Sequence, residues 1–253
     1  MKVGRYRGDA NNKDKRNNNN EDSDDPLAFY FVPNLNLPNA KDYVSFAHGL
    51  VHTENFMIVW DCSVHFDPAA MFDGGSYFRT KEDYPLKFGI IPKHRASSSD
   101  DVIWIDTGGM GAVVHPLNAW ETDQGEIVLW TPFCENLVID LETDDINRFE
   151  MVEYRFLPKT GELVSKRTID DSVNVEFSVV PDGGTFTRFG YTAIQDPQTP
   201  GEGSFAGLCI WDMAQERLHK IIHFPDGQVG GEPMVSKDET TGISYVGTYL
   251  YDL

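Results

Sequence analysis

Val113-Val-His-Pro-Leu-Asn-Ala-Trp-Glu121 and Ala47-His-Gly-Leu-Val-His-Thr-Glu-Asn-Phe56 are the stretches from which this fold is read. Each sets a histidine, His115 or His48, ahead of a dense run of polar and aromatic residues. The two histidines lie 67 positions apart. That pattern has the look of half a metal site assembled from distant segments. The spacing of the other histidines supports the distance. His48 and His52 share parity on an extended segment, but four residues at about 3.3 Å each separate them by roughly 13 Å. Imidazoles on one metal must each reach it within about 2.1 Å, so one strand cannot supply both. His219 and His223 meet the same objection. A site would take one ligand per segment and would need a fold that brings remote strands to one point, as the axis of a propeller does. Otherwise a lone histidine in such a chain is a surface or hydrogen-bonded core residue.

Outward from these stretches the chain reads as β-structure. Phe29-Tyr-Phe-Val32, Phe56-Met-Ile-Val-Trp60, Val102-Ile-Trp-Ile105, Glu126-Ile-Val-Leu-Trp130, Met151-Val-Glu-Tyr-Arg-Phe156 and Ser244-Tyr-Val-Gly-Thr-Tyr249 are short β-branched and aromatic runs. Gly, Pro, Asn and Asp clusters separate them at strand-and-turn spacing. Glu153 to Lys166 reads as a hairpin with Pro158 and Gly161 in its turn. Long amphipathic helices are missing from the sequence pattern, and no clean 40-residue repeat marks blades of the WD40 type. The residues by themselves specify all-β, with sandwich, barrel and propeller all open.

Residues 1–26 form a separate block. Asn11-Asn-Lys-Asp-Lys-Arg-Asn-Asn-Asn-Asn20 is basic and polar, and Glu21-Asp-Ser-Asp-Asp25 is acidic. With almost no apolar side chains to offset ordering entropy, this block is expected to be a disordered tail. Residues 27–253 are expected to form the folded domain. At 253 residues with 40% hydrophobic and 12% aromatic content, the chain can bury a substantial core. Cys62, Cys134 and Cys209 fit neither a zinc pattern nor an even disulfide framework, and read as buried thiols of a reducing compartment. The net charge of −19 makes nucleic acid a poor partner. No apolar run reaches about 18 residues, so no transmembrane helix is expected. The N-terminus lacks the apolar core of a secretory signal. The expected location is intracellular, cytoplasmic or plastid.

Five ordered motifs resemble the carotenoid oxygenase family. The run from His48 through Thr53-Glu-Asn-Phe-Met-Ile-Val-Trp60 to Phe66-Asp-Pro68 looks like the family strand that follows an iron-binding histidine. Tyr84-Pro-Leu-Lys-Phe-Gly-Ile-Ile-Pro-Lys93 is similar to the next strand. His115-Pro-Leu-Asn-Ala-Trp-Glu121 is similar to the histidine signature. Val175-Glu-Phe177 with Arg188-Phe-Gly-Tyr191, and Gly230-Gly-Glu-Pro233, stand where the family has its later motifs.

The resemblance implies a seven-bladed β-propeller with Fe(II) on its axis, held by four histidines. It assigns His48 and His115 as metal ligands, and Glu176 and Glu232 as carboxylates that orient ligand histidines. It implies dioxygen-dependent cleavage of a carbon–carbon double bond in a small apolar polyene: a carotenoid, an apocarotenoid or a stilbene-like compound. Asn118, Trp120 and Glu121 are read as packing and hydrogen bonds that hold the His115 strand. His52 departs from an apolar family position and is read as a surface change.

The family ligand in an upstream Ala-His-Pro-like segment and the one in a late His-Gly pair have no counterpart here. The propeller is therefore expected to be incomplete, lacking N-terminal blades and a closing C-terminal strand. A non-catalytic interaction module is the alternative function. Peripheral membrane contact is common for enzymes that extract apolar substrates, but no basic amphipathic helix supports it here. The sequence leaves the oligomeric state open.

Overall fold

The structure is a computed structural model that describes residues 35–39, 44–73, 78–94, 99–138, 147–195, 205–238 and 240–252. The expected tail at 1–26 and the strand expected at Phe29-Tyr-Phe-Val32 lie outside the described residues. Among the described residues there is no α-helix, and regular structure is antiparallel β with two 3₁₀ turns. The all-β expectation holds.

Most of the strand residues among those described lie in three four-stranded antiparallel sheets. Sheet I contains Val51–His52, Phe56–Asp61, Lys87–Pro92 and Ile103–Asp106, in that order. Sheet II contains Asn118–Glu121, Ile127–Phe133, Glu150–Leu157 and Glu162–Asp170. Sheet III contains Val175–Val179, Phe189–Ile194, Gly207–Asp212 and Arg217–His223. Each is a meander whose strands pair in chain order. Between the second and third strands of sheet I, the chain detours through Val64–Phe66 and Phe78–Thr80, which form a smaller sheet in which Val64–Phe66 lies between Val44–Ser45 and Phe78–Thr80.

Stacking of the sheets explains the sequence pattern. Ile127–Phe133 is buried along its whole length because sheet II is covered on both faces. Leu129, Tyr154 and Phe156 pack with Trp60, Phe88 and Ile90 of sheet I. Their neighbours Val128, Trp130 and Met151 pack with Val175, Cys209 and Trp211 of sheet III. A strand sandwiched this way shows a continuous apolar run, whereas a half-exposed strand alternates. Glu162–Asp170, the outer strand of the same sheet, alternates over Glu162 to Lys166 and has no fully buried residue. Each large apolar side chain removed from water contributes roughly 1.5–3 kcal/mol.

Ion pairs join the outer edges. The Arg167 guanidinium reaches Glu153 at 3.2 Å within sheet II and, at 2.9 Å, Glu216 in the turn between the last two strands of sheet III. The hairpin expected at 153–166 is present, with Gly161 at φ 70° in its turn.

The strand expected over Ser244 to Tyr249 is divided. Ser244–Gly247 pairs with Met234–Lys237, and Leu250–Asp252 pairs with Gln228–Gly230. The break falls where the Thr248 hydroxyl donates to the Gly231 carbonyl at 2.7 Å, turning the chain from one partner to the other.

Candidate metal centre

The start of each sheet delivers one component of the site. His48 precedes the first strand of sheet I, His115 precedes the first strand of sheet II, and Glu176 lies on the first strand of sheet III. First strands of neighbouring sheets meet or reach the adjoining strand, so these components converge. The Nε2 atoms of His48 and His115 are 3.1 Å apart, and their rings stand at 84°. His115 Nδ1–H donates to Glu176 Oε2 at 2.5 Å. A carboxylate acceptor there puts the imidazole proton on Nδ1 and leaves His115 Nε2 with a bare lone pair. His48 can then donate its own Nε2–H across the gap, or both nitrogens can turn lone pairs toward one cation.

Backbone geometry makes the approach possible. Gly49 has φ 81°, and a β-carbon there would lie 2.7 Å from the Val114 carbonyl oxygen. Only glycine lets the His48 segment run this close to the chain entering His115. Leu117 N–H then donates to the Trp130 carbonyl at 2.9 Å, locking the His115 segment onto sheet II. His48 is not itself on a strand, contrary to the expected parity with His52, because the strand starts only at Val51.

The residues after His115 stitch the three sheets together. Glu121 accepts from the Thr53 hydroxyl at 2.5 Å, the Asn55 N–H at 2.8 Å and the Asn55 side-chain amide at 3.0 Å. Burial pushes the Glu121 carboxyl up, but these donors outweigh it and hold the group below the ordinary carboxylate range. Asn118 donates to the Thr185 carbonyl at 2.9 Å and accepts from Gly184 N–H at 3.1 Å. Thus Asn118 and Glu121 tie sheet II to both neighbours, and neither meets His115.

Aromatic rings flank both histidines. Phe46 stacks on His48 with centroids 5.9 Å apart, and Phe177 stacks on His115 at 4.4 Å. Phe177 stands in the Val175-Glu-Phe177 motif, whose residue types alone do not reveal its stacking on His115. Phe46 carries no sequence signal of its own, whereas Gly49, a glycine directly after a candidate ligand, is a legible sign of close chain approach.

The other expected residues sit elsewhere. Glu232 is exposed on the turn after Gln228–Gly230, and no hydrogen bond from it to a histidine is present among the described residues. His52 is exposed, and its Nδ1 lies 3.1 Å from the Lys93 ammonium. Among the described residues, no group of three or more His, Cys, Asp or Glu side chains could hold a metal ion. The cysteines are free and buried. Burial pushes the thiols of Cys62 and Cys209 up to about 12 and that of Cys134 up to about 11, so none is a thiolate near neutrality.

The donor set suits a divalent transition metal. Two imidazole nitrogens at about 2.1 Å from one ion, at right-angled positions, stand about 3 Å apart. The observed 3.1 Å matches this spacing. Neutral imidazoles suit iron among other metals, and a carboxylate behind the ring raises ligand basicity. The fit extends to two ligand positions, and a catalytic centre ordinarily keeps at least three protein ligands.

Comparison with known proteins gives consistent results. The family model described as retinal pigment epithelial membrane protein matches residues 13–252. The chromoplastic zeaxanthin 7,8(7',8')-cleavage dioxygenase of Crocus sativus is 26% identical over 221 residues, covering 82% of this chain and 58% of that protein. The chloroplastic 9-cis-epoxycarotenoid dioxygenase NCED6 of Arabidopsis thaliana is 27% identical over 193 residues, 74% of this chain and 32% of that protein. Cobalt-substituted apocarotenoid oxygenase of Synechocystis superposes with TM-score 0.67 at 18% identity, over 82% of this chain and 45% of that one. Lignostilbene dioxygenase of Pseudomonas brassicacearum does so with TM-score 0.67 at 19% identity, over 83% and 47%. The chain thus spans about half the length of the proteins it matches. Its three four-stranded sheets are blades of their β-propeller, and the chain accounts for part of the ring.

Proposed function

The chain belongs to the retinal pigment epithelial membrane protein family, that of the carotenoid oxygenases, and from this premise we propose an Fe(II)-dependent dioxygenase function. The reaction would be cleavage of a carbon–carbon double bond in a carotenoid, apocarotenoid or stilbene-like substrate. The observation that carries the proposal is the pair of Nε2 atoms 3.1 Å apart, one of them on a ring backed by the buried Glu176. The relatives named for zeaxanthin, epoxycarotenoid, apocarotenoid and lignostilbene point to an apolar, conjugated substrate class.

His48 and His115 would hold the iron through Nε2. Ferrous iron bound there would supply the dioxygen activation that this chemistry requires. Glu176 keeps the His115 proton on Nδ1, so that Nε2 stays available as a donor. Phe46 and Phe177 stack on the two rings and would offer apolar surface to a polyene. Glu232 could serve a histidine in the same way as Glu176 only if that histidine is neither His48 nor His115.

The net charge of −19 argues against nucleic acid as a partner. No helix among the described residues is long and apolar enough to cross a membrane. The two plant relatives are named as chromoplastic and chloroplastic, which supports a plastid alongside the cytoplasm as the proposed location.

Anaerobic reconstitution with Fe(II), followed by desalting and metal analysis, tests the proposal. The expected result is uptake that is abolished in His48→Ala and His115→Ala and weakened about 10–100-fold in Glu176→Gln. Absence of uptake by the unmodified chain at micromolar iron overturns the enzyme reading. It would favour the second reading, a partial propeller that serves as a non-catalytic interaction module. The presence of only two converging ligands among the described residues is the observation on that side.

A further inference from the structure

A regular strand sends neighbouring side chains to opposite faces. Glu176 and Phe177 are neighbours on one strand, yet both touch the His115 ring. Glu176 accepts from His115 Nδ1–H at 2.5 Å. Phe177 lies face to face with the same ring, centroids 4.4 Å apart and planes inclined by 26°.

The backbone explains this double contact. Glu176 pairs with Ala193 and Val179 pairs with Tyr191, so three steps on one strand oppose two on the other. This is a β-bulge, a feature that re-aims a side chain. Phe177 sits inside it with φ 51°, in the left-handed region that a phenylalanine seldom enters. The same turn directs Phe177 N–H to Glu176 Oε2 at 2.5 Å, the oxygen that also accepts from His115. The Phe177 ring is anchored in turn against Phe205, centroids 5.1 Å apart. Phe205 is buried, and two backbone hydrogen bonds of 3.0 and 2.8 Å bridge it to Gly230.

We infer that Phe177 is a positioning residue for His115. Its ring sets the plane of the imidazole, and its amide holds the carboxylate oxygen that fixes the imidazole proton on Nδ1. A residue that merely filled space would not need this backbone. Left-handed non-glycine residues persist where the surroundings over-determine them, and glycine at 177 would relieve the conformation at once. The purpose of the device rests on the reading of His115 as a metal ligand, but its existence can be tested without metal.

The test uses the full metal-free chain and three variants: Phe177→Gly, Phe177→Tyr and Phe177→Leu. Long-range proton–nitrogen NMR at pH 8 reports the tautomer of His115, and its ring protons report the stacked aromatic through their upfield displacement. The unmodified chain and Phe177→Tyr are expected to show a single Nδ1–H tautomer with displaced ring protons. Phe177→Gly is expected to lose the displacement and show averaged tautomers, because no ring then holds the imidazole plane against Glu176.

Cobalt(II) titration is the second readout. Affinity should fall about 10–100-fold in Phe177→Gly and stay close to that of the unmodified chain in Phe177→Tyr. An unchanged His115 signal in Phe177→Gly overturns the inference. If that variant does not fold, Phe177→Leu decides, since it keeps apolar bulk without a flat ring and should show the same averaged tautomers. An unchanged signal there overturns the inference equally. If the unmodified chain binds no cobalt, the proposed function fails, while the NMR comparison still decides the role of Phe177.

Discussion

Replacing Gly49 with alanine separates two physical costs that most glycine substitutions confound. The first is conformational: φ is 81°, and an L-residue in the left-handed region costs about 1–2 kcal/mol. The second is steric, because the new β-carbon would stand 2.7 Å from the Val114 carbonyl oxygen. That oxygen is main chain, one residue before His115, so it cannot swing aside as a side chain would. Relief needs a shift of roughly half an ångström in one of the two chain segments, and overpacking of this kind costs about 1–3 kcal/mol. The expected total is about 2–5 kcal/mol.

Gly125 provides the control. It has φ 78° and nothing within 4 Å of its would-be β-carbon. Gly125→Ala should show the conformational cost alone, about 1–2 kcal/mol. Urea unfolding followed by circular dichroism measures both. Gly49→Ala should lie below Gly125→Ala by the steric difference, with an unchanged m-value. The same shift moves His48 Nε2 relative to His115 Nε2, so metal uptake should drop in Gly49→Ala and not in Gly125→Ala. Equal midpoints for the two variants, with unchanged uptake, would refute the claim that Gly49 exists to let these segments approach.

Other expectations follow from the groups that hold the sheets together. Glu121 has its folded-state ionisation held below the unfolded value, so the stability it contributes is present above about pH 4.5 and disappears as the pH falls through the folded value. Glu121→Gln should therefore be less stable by about 1–2 kcal/mol at pH 7, and the gap should narrow as the pH falls below about 4.5. A gap independent of pH would remove the carboxylate from this role. Glu153→Ala should be destabilised by about 3–5 kcal/mol in thermal or urea unfolding. It would leave the buried Trp130 Nε1–H, now 2.9 Å from the carboxylate, unpartnered, and the Arg155 and Arg167 guanidinium groups with Glu216 as their remaining shared acceptor. A loss below about 1 kcal/mol would mean that water replaces the carboxylate.

What the sequence determined by itself was local chemistry and strand order. Short β-branched and aromatic runs with Gly and Pro punctuation fixed the all-β class, since alternation and turn preference act over a few residues. The motifs around His48, His115 and Glu176 named the side chains that the structure brings together. Glu232 stands in a motif of the same kind but lies exposed, because a motif records residue types and not the direction in which a turn presents them.

Only the tertiary structure decided the rest. The 3.1 Å between His48 and His115 depends on sheets I and II packing face to face, and on the Gly49 segment passing Val114. The clamp of Glu121 on Thr53 and Asn55 joins residues 66 to 68 positions apart. The bulge that turns Phe177 onto His115 comes from the register of Val175–Val179 against Phe189–Ile194. Register, bulges and sheet stacking are set by contacts between remote segments. A reading in which each residue sees only its neighbours identifies the components of the site but not the distances between them.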